Sequence, residues 1–413
     1  MAVVEDRDGG VRYRLLETVR AYAIDRLRES GAYDRYARRF ATYYCARAKD
    51  ADVRYGRMSN SAFLSLVEPD LDHFRVALQW TLGERNDTIL GAELAGAMGW
   101  IYRQTALFVE GVGWAETALR EAPVLEPLVI GRLQMALSFF YFNVGGLQRA
   151  LDAAVAASAS YRDAGARSEV AWSLTQQAYC LCRVGRIEDA RRVGGEAVRV
   201  ARAEHDTFRL AGALNAYAFT FAGEGAPERF AALEEAIGAY RASGDEDAIV
   251  ATAQLAEAYC DAGDFGKALS VGWSLVAAAR KNRDRSTLAS TLINVAAYAL
   301  ASEDVGAADR ATREALDLIR DLGKTLNAMC ALQHLGSIAA RRDGFVRAAR
   351  LVGASNALYR EFGLERETTE QTLYERTIDE IRRALGEERL RAHLDEGAAL
   401  PFDRSVAEAL API

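Results

Sequence analysis

Residues 261–270 read DAGDFGKALS, two glycines followed by a lysine, the residue types of a phosphate-binding loop. Such a loop needs a glycine five residues before its Gly-Lys pair, so that successive N–H groups cradle phosphate, and a hydroxyl residue after the lysine to hold magnesium. Here Asp261 stands at the first position and Ala268 at the last, and no complete G-x-x-x-x-G-K-[ST] occurs elsewhere. Cys180-x-Cys182 is half of a metal site, but no second pair or nearby histidine completes it. The four histidines, His73, His205, His334 and His393, are far apart in sequence. In the stretch EPDLDH the acids Glu68, Asp70 and Asp72 read as first-turn residues that favour a helix dipole. The pair Glu234-Glu235 has arginine neighbours and reads as a solvated helix face. Neither G-x-S-x-G nor H-E-x-x-H occurs. An active site needs a convergent set of groups, so the chain is expected to be no enzyme, with no catalytic residues, no cofactor and no metal.

What remains is scaffold. The 413 residues are half apolar and about a quarter charged, as in a folded domain. Only six are proline, which favours helix. Net charge is −7 and no basic block stands out, which argues against direct nucleic-acid contact. Only four of the 51 basic residues are lysine, a codon bias rather than a chemistry. Five scattered cysteines suit thiols in a reducing cytoplasm. The acidic start MAVVEDRDGG is unlike a signal peptide. The two long uncharged runs, 286–302 and 133–148, are 17 and 16 residues, short for a membrane span and suited to buried helices.

A repeat organises the chain. Short turns introduce a recurring anchor at Gly111, Ala150, Ala190, Phe230, Ala268, Ala308 and Ala348, with spacings of 39, 40, 40, 38, 40 and 40. Twelve residues before each anchor stands a small residue: Gly99, Ser138, Ala178, Ala218, Ala256, Ala296 and Gly336. A small residue at a fixed phase marks a close approach of two helices. Nine before the anchor come Tyr102, Tyr141, Leu181, Phe221 and Tyr259, then Ala299 and Ala339. Each copy therefore reads as helix A, tight turn, helix B.

LAEAYCDAGDFGKAL (255–269) resembles the tetratricopeptide repeat (TPR), whose pattern has a small residue and an aromatic in helix A, glycine at the turn and alanine early in helix B. The period here exceeds the family's 34 by about six residues, nearly one turn per helix. A second resemblance is carried by RYRLLETVRAYAIDRL, EPDLDHFRVALQW, EGVGWAETAL, AARLVGASNALYREFG and LGEERLRAHLDEGAAL. These look like the C-terminal half of large bacterial transcriptional regulators of the STAND class (LuxR/AfsR-like). There a P-loop ATPase and a winged helix precede a helical-repeat region. This chain lacks the ATPase motif, so the resemblance implies an enzyme encoded separately or lost.

The expected fold is an all-α, right-handed solenoid of about seven TPR-like repeats of ~40 residues. Expected boundaries are 1–32, a winged-helix remnant with a strand at 12–16 and a helix; 33–86, a linking helical hairpin; 87–362, seven repeats; and 363–413, capping helices. In TPR-like arrays helix A lines the concave groove, and register assigns groove positions. Eleven before the anchor lie Trp100, Phe139, Tyr179 and Phe219; at neighbouring phases lie Arg103, Phe142, Arg183, Arg132 and Trp172. These nine are the groove-binding candidates, because aromatics and arginine anchor interfaces; core packing is the competing assignment. The resemblance implies a sensor or scaffold that binds a protein, peptide or small apolar ligand and regulates a transcription-regulator ATPase. The alternative is a free-standing TPR adaptor without an ATPase partner. No nucleic acid or membrane is expected as a partner, and a homodimer is left open.

Overall fold

The computed structural model describes residues 2–7, 10–58, 60–224, 226–244, 248–281, 285–322, 326–362, 364–366 and 368–411. It divides into two compact units, Met1–Ala166 and Arg167–Ile413. The first holds a two-stranded antiparallel hairpin, β1 (Ala2–Arg7) and β2 (Gly10–Leu15), with Ala2 opposite Leu15. Helices α1 (Glu17–Glu29), α2 (Tyr33–Arg54), α3 (Asn60–Val67) and α4 (Leu71–Leu78) follow. Next come α5 (Thr88–Ala97), α6 (Gly99–Gln104), α7 (Phe108–Glu121), α8 (Pro127–Asn143) and α9 (Leu147–Asp163). The second unit runs through α10 (Arg167–Arg183), α11 (Ile187–Ala203), α12 (Thr207–Phe219), α13 (Pro227–Ser243), α14 (Ile249–Asp261) and α15 (Phe265–Lys281). It continues with α16 (Arg285–Ala301), α17 (Val305–Leu322), α18 (Leu326–Ala340) and α19 (Phe345–Phe362), and ends with α20 (Thr368–Leu385), α21 (Glu387–Ala398) and α22 (Phe402–Leu410).

The architecture is a helical-repeat solenoid of the TPR-like kind. Within the second unit each helix from α10 to α20 packs on the next, and α10, α12, α14, α16 and α18 also touch one another in series. Local chemistry starts these helices as the sequence allows. Pro127 and Pro227 open α8 and α13, where no N–H is needed. Asp87 and Asp206 cap α5 and α12 by accepting from Leu90 N and Arg209 N at 3.2 and 3.0 Å.

The two sequence columns meet in space. Ser138 Oγ donates to the carbonyl of its own anchor, Ala150, at 2.7 Å. A Cβ built on Gly336 would stand 3.2 Å from the carbonyl of its anchor, Ala348. Ala178, Ala218, Ala256 and Ala296 are buried, as are the anchors Ala150, Ala190, Ala268, Ala308 and Ala348. Five residues before the anchor the backbone is left-handed in every described copy: Ala106, Gly145, Gly185, Gly263, Glu303 and Asp343 have φ of 55°, 86°, 78°, 76°, 63° and 59°. This residue ends helix A and reverses the chain; the fourth copy's Gly225 lies outside the described residues, as does Gly363 at the end of the α19 segment.

Two local expectations change. The strand expected at 12–16 is the second strand, 10–15, of an antiparallel pair whose first strand is 2–7. Helix A of the first repeat is interrupted at Met98, whose ψ of 0° breaks it into α5 and α6. The lysine of the stretch with phosphate-loop residue types, Lys267, lies in the first turn of α15 and not in a loop, since Asp264 accepts from its N–H at 3.1 Å and opens that helix.

At the C-terminal end α19 and α21 cross glycine against backbone. A Cβ on Gly353 would come within 2.1 Å of Leu394 O, and one on Gly397 within 1.9 Å of Arg350 O. The last carbonyls of α22 are held by side chains from the repeats: Arg347 Nη2 donates to Glu408 O, Ala409 O and Ala411 O, and Arg313 Nη1 to Leu410 O. Among the described residues no helix is long and apolar enough to cross a membrane.

Candidate functional site

In the first unit the inward register of the A helices brings Trp100 and Phe139 together, ring centroids 5.5 Å apart. The Arg103 guanidinium covers both, 4.9 Å from the Trp100 ring and 4.3 Å from Phe139. Both rings are 8% exposed, so they form the floor of this wall rather than its surface. Arg103 makes no ion pair with the described residues, and its buried Nη1 has no hydrogen-bond partner among them. Tyr55, just past α2, stacks on Trp100 at 3.8 Å with its ring nearly parallel, and Gln104 Nε2 donates to its hydroxyl at 2.8 Å. Arg132 faces Asp52 at 3.5 Å, and Lys49 pairs with Glu93 at 2.7 Å. Phe142 is half-buried.

In the second unit Tyr179 and Phe219 lie 5.6 Å apart, both half-buried. Asn215 Nδ2 donates to the Tyr179 hydroxyl at 2.7 Å, while its buried Oδ1 has no partner among the described residues. Arg209 covers the Trp172 ring at 4.8 Å and pairs with Glu169 at 2.9 Å. Phe208 adds a further ring 6.1 Å from Trp172. Arg183 is exposed. Of the nine candidates, the structure thus groups Trp100, Arg103 and Phe139, and separately pairs Tyr179 with Phe219.

Sequence reasoning missed Tyr55, Gln104, Asn215, Phe208 and Arg209. Tyr55 lies before the first repeat, where the anchor phase has no meaning. Phe208 and Arg209 open helix A, where register alone does not separate ring neighbours from solvent. The shared signal is an offset of one repeat: Asn215–Tyr179 and Arg209–Glu169 are 36 and 40 residues apart.

The residues that looked chemical take structural positions. Asp261, at the phosphate-loop glycine position, accepts from Arg229 Nη1 at 2.5 Å and from Gly223 N at 3.2 Å. Lys267 pairs with Asp264 at 2.8 Å. All five cysteines are thiols, and burial pushes Cys45 and Cys182 up to about 11 and Cys260 up to about 12, away from the thiolate that binds metal. Among the described residues no group of three or more His, Cys, Asp or Glu is placed to hold a metal ion. His334 is fully buried and meets Glu370 at 2.7 Å, with Gln333 Nε2 donating to the same carboxylate at 2.7 Å.

The fold and this stripe define a TPR-like helical-repeat protein, and the comparisons with known proteins agree at that level. No family model matches the chain. A stretch of 121 residues is 31% identical to a protein provisionally named an HTH-type transcriptional regulator, in Mycobacterium tuberculosis and Mycobacterium bovis. The match covers 29% of this chain and 13% of the relative, so the chain matches only a small part of the length of these curated relatives. The crystal structure of a Rap protein complexed with Competence and Sporulation Factor is similar with a TM-score of 0.51 and 16% identity, over 86% of this chain and 99% of that one. A STAND protein with a tetratricopeptide repeat sensor from Pyrococcus horikoshii gives a TM-score of 0.51 and 15% identity, over 92% of this chain and 58% of that one. At these identities the likeness is one of fold.

Proposed function

We propose that the chain is a non-enzymatic sensor or scaffold that takes a protein or peptide on its A-helix aromatic residues, Trp100, Arg103 and Phe139 in the first unit and Tyr179 and Phe219 in the second. The observation that carries this reading is the Arg103 guanidinium over Trp100 and Phe139, with donors that no described residue accepts. A cation laid on aromatic rings and left without a carboxylate is suited to a peptide carbonyl or an acidic side chain. In the second unit the half-buried Tyr179 and Phe219 stand at the same phase of their own A helices and offer apolar and hydroxyl surface. The similar Rap protein is seen complexed with Competence and Sporulation Factor, and the similar STAND protein carries its repeats as a sensor. By that likeness, occupancy of the stripe favours one packing of the repeats, and that state is passed to a transcription-regulating ATPase.

The test is capture from native lysate on immobilised protein, with mass spectrometry of bound proteins and small molecules. Wild type is expected to retain a partner that Arg103→Gln and Tyr179→Ala/Phe219→Ala lose by about tenfold or more, while circular dichroism and Tm stay near wild type. A fall in Tm with capture unchanged would make the stripe core. Capture of a partner with no ATPase among the retained proteins would favour the free-standing adaptor. A gel-shift titration against salt tests direct DNA contact, which requires a steep dependence.

A further inference from the structure

A second site lies in the C-terminal part of the Arg167–Ile413 unit. A cavity of about 850 Å³ opens between α19, α20 and α21, a size that accommodates a small molecule. Arg366 stands in its wall with its guanidinium between two tyrosine rings, 4.2 Å from the Tyr359 centroid and 4.0 Å from that of Tyr374. Its Nε donates to Gln333 Oε1 and its Nη2 to Asn356 Oδ1, both at 2.6 Å. Those two bonds occupy one edge of the guanidinium and clamp its plane. The remaining N–H groups, on Nη1 and Nη2, form the fork that pairs with a carboxylate. They have no partner among the described residues.

Among the described residues no carboxylate pairs with Arg366. Both of its hydrogen-bond acceptors are neutral amides. The nearby carboxylate of Glu370 is taken by Gln333 and His334 instead. Arg360 lines the same cavity and donates only to a backbone carbonyl, Asn356 O, at 3.3 Å. Glu365 and Asp395 line it too, and neither makes an ion pair with the described residues. Four charges of both signs thus line one cavity without pairing with one another, Arg366 half-buried and Arg360, Glu365 and Asp395 exposed at its mouth. A ligand carrying charges of both signs can pair with both sets.

We propose that this cavity binds a small zwitterion with a carboxylate and an ammonium group, the chemistry of a free amino acid or a short peptide. The carboxylate lies on the fork of Arg366, supported by Arg360, and the ammonium on Asp395. The site is separate from the aromatic stripe and uses none of its residues.

Isothermal titration calorimetry of the full chain with the common amino acids and with unmodified di- and tripeptides tests this. One of these probes is expected to bind with 1:1 stoichiometry, and free amino acid against peptide identifies the source. Its N-acetylated and C-amidated derivatives, which each lack one charge, are expected to bind at least about tenfold more weakly, one lost ion pair being worth about that factor. Arg366→Lys, which keeps the charge and loses the fork, is expected to weaken binding by about tenfold. Because Arg366 also ties Gln333 to Asn356, Arg360→Gln and Asp395→Asn are measured beside it; both side chains are exposed, and each is expected to weaken binding with Tm unchanged. Binding by none of the probes, equal binding of the capped derivatives, or affinity unchanged in Arg360→Gln and Asp395→Asn would overturn the proposal.

Discussion

Asp261 holds a guanidinium that is only 1% exposed, that of Arg229. Removing the carboxylate strands a buried charge, whereas removing a surface pair changes little. Asp261→Ala is therefore expected to lower unfolding free energy by about 3–5 kcal/mol, read from urea denaturation. Lys267→Ala, six residues on and exposed, should stay within about 0.5 kcal/mol of wild type. Cysteine reactivity gives a second residue-scale outcome. Burial pushes the Cys182 thiol up to about 11, so thiolate is scarcer at any pH below that value. At pH 8 its alkylation by iodoacetamide in the folded protein should be roughly a hundredfold slower than that of an ordinary cysteine. A rate equal to that of the denatured chain would show the thiol to be open.

At the scale of elements, the crossing of α19 and α21 depends on two glycines with no space for a Cβ. The obstructing atoms are backbone carbonyls, Leu394 O and Arg350 O, which no rotamer change moves aside. Gly353→Ala and Gly397→Ala are each expected to destabilise by roughly 1–3 kcal/mol or more, measured by thermal and urea unfolding. The turn at Ala106 gives a change of opposite sign. Its φ of 55° is strained for alanine and ordinary for glycine. Ala106→Gly should raise stability by up to about 1 kcal/mol, as the other glycine turns imply. The repeat register was legible because a close helix approach tolerates only small side chains, and that requirement recurs once per hairpin. The hairpin partner β1 was missed: its run 2–7 reads as an acidic, polar terminus, although Asp8-Gly9 between the two runs is itself a hairpin signal. The candidate stripe was legible in part: phase alone placed Trp100 beside Phe139 and Tyr179 beside Phe219. It could not supply Tyr55, which reaches Trp100 from outside the repeat.

At the scale of the molecule, repeat packing makes stability a sum of neighbour interactions. Within the second unit α22 folds back on α17, α18 and α19, placing Val406 and Ala409 in the same buried cluster as Leu316 and Leu351. Deleting residues 402–413 removes that cover and leaves Arg347 and Arg313 without their carbonyl acceptors. Hydrogen exchange is then expected to quicken in α17–α19 and to remain unchanged in α10–α13. Uniform quickening along the unit would mean that the repeats unfold as one body. The sequence by itself determined the helical class, the seven-fold period, the turns and the phase of the aromatic stripe, because these depend on residues within one hairpin of each other. It also ruled DAGDFGKALS out as a phosphate loop. Tertiary structure alone decided that Asp261 answers Arg229, that Arg103 lies across two rings, and that Arg366 lines a charged cavity. Those arrangements bring together residues of different segments, Asp261 and Arg229 being 32 apart and Gln333 and Arg366 33 apart, and their distances are set by how hairpins pack rather than by spacing along the chain.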